Sequence, residues 1–455
     1  MRVEIHLDFE TYSEADLTVI GAHRYAADPT TDCLVARWRV KIDGKYGERG
    51  EWRPDDPYPF DNYRDEDLVI IAWNSQFERL IWRHVMVPVY GWPELKLTQF
   101  ICASAWARVV AAAPAKLEVA AAFFGQPAQK NMKGHLHMLK MCRPATESQQ
   151  LKWLQSSLRD TAYSDEEAKR CHHTPAEIDR LSDYCADDVE AEIDIVEILP
   201  PFPEADLEAF WENERINDHG LIVDVDFAEA AVSLVEIEKA YFERELVRLT
   251  NRQIETVKQY QRQAEWIYDQ LSERGQKMMT VYKDGKAKKS VASDIRANLM
   301  SEDDMQPGFL PVHVREVLEI IDQGSKAATS KFEGMLNRAM QDEEGNWRVH
   351  GLYMFAGAAQ TGRYSSVGLQ VHNLVRDVPK EAGEMIDWCV EGHRRGTLFN
   401  EFRDLVAEWA EAQKGKPKAA QGDRKDFHEA QSQKGCLRRG ISSGANQGFV
   451  KGPIH

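Results

Sequence analysis

The sequence predicts an α/β domain over residues 1–200, followed by a mostly α-helical region. Three observations lead there. Val3, Ile5, Leu7 and Phe9 alternate with Glu4, His6, Asp8 and Glu10, the period of a strand. Residues 68–73 form a continuous apolar run, as expected of a strand covered on both faces. From about 204 onward the apolar positions recur at helical spacing, most clearly over 227–249 and 256–273.

Each element has local signals. Asn74 follows the buried strand as an N-cap, and Phe77, Leu80, Ile81 and His84 continue at helical spacing. Thr174-Pro175-Ala176-Glu177 offers an N-cap, a proline at the first helical position and a capping-box Glu. That helix is expected to run to Leu199, where Pro200-Pro201 stops it. In the second half a basic loop, Lys283 to Lys289, interrupts the helices, and a strand is expected from Trp347 to Phe355. From Gln413 the chain is rich in Lys, Gln, Gly and Ser, with nine Lys/Arg against three Asp/Glu, so residues 396–455 are left as a flexible basic tail.

Composition narrows the function. With 43% hydrophobic and 29% charged residues among 455, wholesale disorder is excluded. No apolar run reaches the ~18 residues of a membrane helix, and the N-terminus lacks the apolar core of a signal peptide. Seven cysteines without a CxxC pair exclude a disulfide scaffold and a Cys-rich zinc site, so a reduced cytoplasm is expected. His135, His137 and Cys171-His172-His173 read as structural or surface residues. The formal charge of -17 does not attract a polyanion globally. Nucleic acid would need local basic patches or metal ions held on carboxylates.

Three acidic segments suit the second route. Asp8 and Glu10 leave the same strand face, roughly 7 Å apart at Cα, and repel unless a cation lies between them; hard ions such as Mg2+ prefer oxygen ligands. Glu78 stands in the first turn of a helix just beyond a buried strand, where the helix dipole alone would favour it. Tyr184 and Asp188, four apart, share one helix face beside Leu181, Val189, Ile193 and Val196. Singly, these read as a solvated strand face, a dipole effect, and a core aromatic with a surface charge.

In order, Leu7-Asp8-Phe9-Glu10-Thr11, Asn74-x-x-Phe77-Glu78 and Tyr184-x-x-x-Asp188 resemble the three motifs of the DnaQ-like 3′–5′ exonucleases, in the subclass with Tyr in its third motif (DEDDy). The resemblance implies a ribonuclease H-like fold with a mixed sheet over 1–200. It implies two Mg2+ ions, with Mn2+ as a substitute. Asp8, Glu10 and Asp188 would hold the tighter ion and Glu78 would help position the second. Tyr184 would orient the attacking water, and Asn74 and Phe77 would touch the 3′ end. The family's second motif usually ends in Asp; Glu78 reaches one methylene further.

The second half carries Thr361-Gly362-Arg363-Tyr364-Ser365-Ser366 and, further on, Asn373-Leu374. Composition alone gives a polar turn with an Arg and hydroxyls suited to phosphate and minor-groove contacts. The order is similar to the segment that opens the palm of family A DNA polymerases, and residues 324–331 with the preceding helices resemble the thumb of phage-type members. This implies a helical thumb-like region over 201–345 and an incomplete palm over 346–395. Arg363, Ser365, Ser366, Asn373 and Lys326 would contact the primer-template duplex. The remaining polymerase motifs are missing from 377–455: Asp387 and Glu391 have the wrong spacing, no Arg/Lys/Tyr-Gly set occurs, and His428-Glu429 lacks its Asp.

The expected function is therefore 3′–5′ proofreading within DNA replication, on primer-template DNA and single-stranded 3′ ends, in a bacterial host's cytoplasm if the gene is a phage's. Three arrangements stay open: one half of a split polymerase completed by a second chain, the product of a gene interrupted near 393, and a free exonuclease with a duplex clamp. The rivals are a DnaQ-like ribonuclease and a non-catalytic DNA-binding accessory subunit. A fragment cut near 200 is expected to be stable.

Overall fold

The structure, a computed structural model, describes residues 2–126, 132–157, 164–283, 285–324, 330–358, 361–373 and 382–413. Lys326 and the tail beyond 413 lie outside the described residues. The chain divides into two compact units. One joins Met1–Val223 to Asn337–Asn373, and the other begins at Asp224, breaks after Leu336 and resumes beyond Asn373.

The first unit is built on a mixed five-stranded sheet. Its strands are β1 (Val3–Tyr12), β2 (Asp32–Ile42), β3 (Lys45–Trp52), β4 (Leu68–Ala72) and β5 (Phe100–Cys102), in the order β3-β2-β1-β4-β5. β1, β2 and β3 are antiparallel neighbours, whereas β4 runs parallel to β1 and β5 parallel to β4. Val3, Ile5, Leu7 and Phe9 enter a core with Trp52, Phe60, Trp82 and Trp92. Pairing with β2 slips by one residue between Glu10↔Val35 and Thr11↔Cys33, a bulge beside the acidic end of β1.

The opposite face of β1 is not solvated. His6 is fully buried and Glu10 is 6% exposed, because a long helix crosses that face. The helices that matter for the site are α1 (Ser75–Ile81), α2 (Ala103–Ala111), α3 (Pro175–Val196) and α4 (Glu204–His219). α3 is the covering helix. It starts at Pro175 as the sequence predicts, with the Thr174 hydroxyl accepting from Glu177 N, but the expected capping box is only half made, because the Glu177 carboxylate turns to Arg180 and His137 instead. It ends at Val196, short of Leu199, and the chain leaves through turn bonds Ile198 N→Ile195 O and Leu199 N→Val196 O. At α1 the correction concerns the cap. Asn74 holds the N-cap position but its side chain makes no capping bond, and the turn closes through Phe77 N donating to Asn74 O at 2.8 Å. The helix then continues as a π-turn over Trp82–Met86.

The first unit runs past residue 200 for a chemical reason. Arg79 on α1 is 6% exposed and finds its anions on α4: Nη1 and Nη2 donate to Asp218 at 2.8 and 2.7 Å, and Nη2 to Glu214 at 3.1 Å. Trp211 Nε1, also on α4, donates to Phe100 O at 2.9 Å. After α4 come β6 (Leu221–Ile222), β7 (Ala339–Gln341) and β8 (Trp347–Val349), an antiparallel sheet in the order β6-β8-β7. β9 (Tyr353–Ala358) and β10 (Arg363–Ser366) form a hairpin. The single strand expected over 347–355 is thus two. Gly351 breaks it with a φ of +66°, and a Cβ there would lie 2.9 Å from His23 Nδ1. The hairpin is tied to the helices through buried donors: Arg108 Nη2 to Phe355 O at 3.0 Å and Asn217 Nδ2 to Tyr353 O at 2.8 Å.

The second unit is helical, with a core of Phe242, Leu246, Ile267, Leu299, Val314, Leu318 and Ile321 among others. The basic segment is not an irregular loop. Thr280–Lys283 pairs with Lys286–Lys289 as a hairpin that leaves Lys283, Lys286, Lys288 and Lys289 exposed. Residues 398–413, counted with the tail on composition, form the helix Leu398–Gln413, which buries Leu398 and Phe402. The structure divides after 223, 336 and 373, where the sequence alone suggests 200, 345 and 395. No helix among the described residues is long and apolar enough to cross a membrane.

Candidate metal centre

Four carboxylates from three elements are brought together. Asp8 and Glu10 project from β1 toward α3, which presents Tyr184 and Asp188 one turn apart, and Glu78 enters from the first turn of α1. Glu78 is 4% exposed, and its Oε2 is buried without a hydrogen-bond partner among the described residues. An unpartnered carboxylate oxygen costs several kcal/mol to bury unless a cation or proton meets it. All three of the segments named from the sequence therefore meet in space.

Electrostatics explain why the cluster needs a counter-charge. Burial first, then Asp188, pushes the Asp8 carboxyl well above the usual carboxylate range, while a hydrogen bond from Cys185 works the other way. Glu10 is raised by burial, then by Asp8, Asp188 and Glu78. Glu78 is raised by burial and by Asp8. Asp188 is pushed up to about 6, chiefly by burial and against the hydrogen bond it accepts from Tyr184. Ligand atoms of Asp8 and Glu10 lie within 4.8 Å of each other. At an effective dielectric of about 20, two full charges at that separation repel by about 3 kcal/mol. Two more carboxylates add to this, so without a cation the cluster retains protons. An all-oxygen carboxylate set of this kind fits a hard divalent ion.

The Tyr184 hydroxyl is raised by burial and by Asp188, so it stays neutral and able to donate. Asn74 is exposed and Phe77 half-buried at the start of α1, with the Phe77 ring 6.0 Å from Tyr25. Arg363, Ser365 and Ser366 sit on β10 and Asn373 in the 3-10 turn Val371–Asn373, away in the chain from the carboxylate elements. Arg363 and Asn373 are exposed, and Ser366 Oγ accepts from His372 N at 2.9 Å.

Three features escape sequence reasoning. His6, two residues before Asp8, pairs with Glu192 at 2.8 Å; Glu192 lies four residues after Asp188, so the pair extends the line of acidic contacts along β1 and α3. Its visible signal is periodicity on both elements. Cys185 Sγ lies 3.1 Å from Asp8 Oδ2, and Cys142 Sγ 3.9 Å from Glu10 Oε2. The Arg79–Glu214–Asp218 group next to Glu78 has no local signal, since Arg79 lies 135 residues from Glu214 and 139 from Asp218. Burial opposes the ionisation of Asp218, but hydrogen bonds from His23 and Arg79 hold it well below the usual carboxylate range.

No protein-family model matches the chain. It is similar to a DNA polymerase of Bacillus phage SP02, 24% identical over 379 residues, which cover 81% of this chain and 51% of that protein. It thus spans about half the length of the curated relative it matches. Among solved structures, the POL domain of Pol1 from M. smegmatis, in complex with DNA primer-template and dNTP, matches over 83% of this chain and 53% of that one. The identity there is 13% and the TM-score 0.41.

Proposed function

We propose that this chain is the 3′–5′ exonuclease and primer-template-binding part of a phage-type family A DNA polymerase, acting in DNA replication. The observation that carries the reading is the convergence of Asp8, Glu10, Glu78 and Asp188, with Glu10 and Glu78 buried and the neutral Tyr184 hydroxyl on Asp188. Similarity to a phage DNA polymerase over 81% of the chain supports the replication setting.

The unpartnered Glu78 Oε2 and the carboxylates raised by burial, and then by one another's charge, fit divalent cations. Asp8, Glu10 and Asp188 would hold one Mg2+ and Glu78 would help hold a second, with Mn2+ as a substitute. When bound, such a pair supplies an activated water and charge stabilisation at the leaving 3′ oxygen. The chain's own residues do the rest. The Tyr184 hydroxyl orients the attacking water through its hydrogen-bonding capacity. Exposed Asn74 and the Phe77 ring border the same helix start as Glu78 and seat the 3′-terminal nucleotide. Arg363, Ser365, Ser366 and Asn373 meet the backbone and minor groove of the duplex. The product is a nucleoside 5′-monophosphate. Lacking the other polymerase motifs, the chain alone trims ends without extending them.

The test is one gel with a labelled primer-template bearing a 3′ mismatch, Mg2+ and all four dNTPs, run with wild type and Asp8→Ala. Shortening is expected in wild type and lost in the variant, with extension in neither. Shortening unchanged by Asp8→Ala, or any extension, overturns the reading. An RNA primer shortened faster than DNA moves the assignment to a ribonuclease.

A further inference from the structure

The carboxylate centre contains sulfur. Cys185 is fully buried on α3 between Tyr184 and Asp188. Its Sγ lies 3.1 Å from Asp8 Oδ2 and 3.4 Å from the Asp8 main-chain oxygen. Ligand atoms of Asp8, Glu10 and Cys185 all fall within 4.8 Å of one another. A second observation points to a missing partner: Glu78, 96% buried, directs charge at Glu10 and has an oxygen with no hydrogen bond among the described residues.

We propose that Asp8, Glu10 and Cys185 form a site for a thiophilic divalent cation, Zn2+ or Cd2+, which displaces the oxygen-bound ions and silences the centre. The proposal rests on the reading of these carboxylates as a metal centre. Four-coordinate zinc takes sulfur at about 2.3 Å and oxygen at about 2.0–2.2 Å, which spaces neighbouring ligand atoms by roughly 3.5 Å. Atoms already within 4.8 Å of one another reach that spacing through small side-chain rotations. On ligation the S–H bond breaks, the sulfur pair forms the metal–sulfur bond, and the proton leaves to solvent; the cation keeps its oxidation state. Mg2+ keeps to oxygen ligands and leaves Cys185 hydrogen-bonded to Asp8. Thiolate selects zinc over magnesium, so this one side chain makes the centre sensitive to the kind of cation present. If Cys185 only donates its S–H to Asp8, no metal–sulfur bond forms.

The experiment titrates the full chain, stripped of metal, with Cd2+ and reads the ultraviolet sulfur-to-cadmium charge-transfer band. A saturable band is expected in wild type and in Cys142→Ala, displaced by Zn2+ and not by Mg2+, and absent in Cys185→Ala. In the mismatch assay, Cys185→Ala is expected to raise the Zn2+ concentration for half-inhibition by about tenfold or more. If Cys185→Ala fails to fold, cadmium NMR of the wild type separates sulfur-containing from all-oxygen ligation directly. No band in wild type, a band that survives Cys185→Ala, or an all-oxygen cadmium signal overturns the proposal. A Cys185-dependent band in a chain that never shortens DNA leaves the cation site standing and removes the nuclease reading; shortening without a band does the reverse.

Discussion

Replacing Asp188 with Asn tests the electrostatics of the centre through stability, without any turnover. The folded carboxyl titrates at about 6 instead of the ordinary 3.8, a gap that corresponds to about 3 kcal/mol. Partial exposure of Asp188 makes this an upper value. The sign follows from proton counting. A raised folded pKa means that the native state binds more protons than the unfolded state, so stability falls as pH rises from about 4 to about 6. Below that window the penalty is absent, and above it the penalty is complete. His84 and His173 run the other way. Burial pushes both down to about 4, so their contribution is present above the unfolded imidazole pKa and is lost as pH falls. The wild-type profile mixes these effects, and the difference between wild type and Asp188→Asn cancels the histidines. In EDTA, urea denaturation should find the two equal near about pH 4 and the variant more stable by up to about 3 kcal/mol near about pH 7.5. Relief of Asp8 and Glu10 adds in the same direction. Added Mg2+ should stabilise wild type more than the variant, by about 2.7 kcal/mol when its concentration is a hundredfold above Kd. A variant less stable than wild type at about pH 7.5 in EDTA, or a difference that does not change with pH, refutes the reasoning.

Other outcomes follow from single contacts. Arg79→Ala leaves Glu214 and Asp218 facing each other without their shared cation, and chemical denaturation should show a loss of about 3–5 kcal/mol; a change near zero would mean that the group is solvated. For the same reason, limited proteolysis of the full chain should yield no resistant fragment ending near 200, and recovery of one would show that α4 is dispensable. Tyr184→Phe should slow Mg2+-dependent shortening by about 10²-fold while anisotropy shows DNA binding unchanged; equal losses in rate and binding would deny it a role in orienting water. Arg363→Ala should weaken duplex binding evenly across sequences and lower the slope of log affinity against log salt by about one, and an unaltered slope would remove the phosphate contact.

Much of the centre was legible in the chain. The period of two on β1 put Asp8 and Glu10 on one face, a spacing of four put Tyr184 and Asp188 on another, and the apolar run before Asn74 aimed Glu78 from a strand's end. These are local regularities, set by backbone geometry between near neighbours, so a sequence displays them. The same applies to the Thr174 cap, whose partner is three residues away. What the sequence did not display depends on distant segments packing together. The polar face of β1 reads as solvated, yet His6 and Glu10 on it are buried, because α3 lies across it. Residues 177 positions apart bring Cys185 to Asp8, and 139 positions separate Arg79 from Asp218. Only the tertiary structure extends the first unit through α4 and the β9–β10 hairpin, since the buried guanidiniums of Arg79 and Arg108 must find acceptors, and α4 carboxylates and the Phe355 main-chain oxygen supply them. Spacing along the chain chose which carboxylates face which way; packing decided that they converge, two of them buried, with sulfur among them, where a cation is the natural counter-charge.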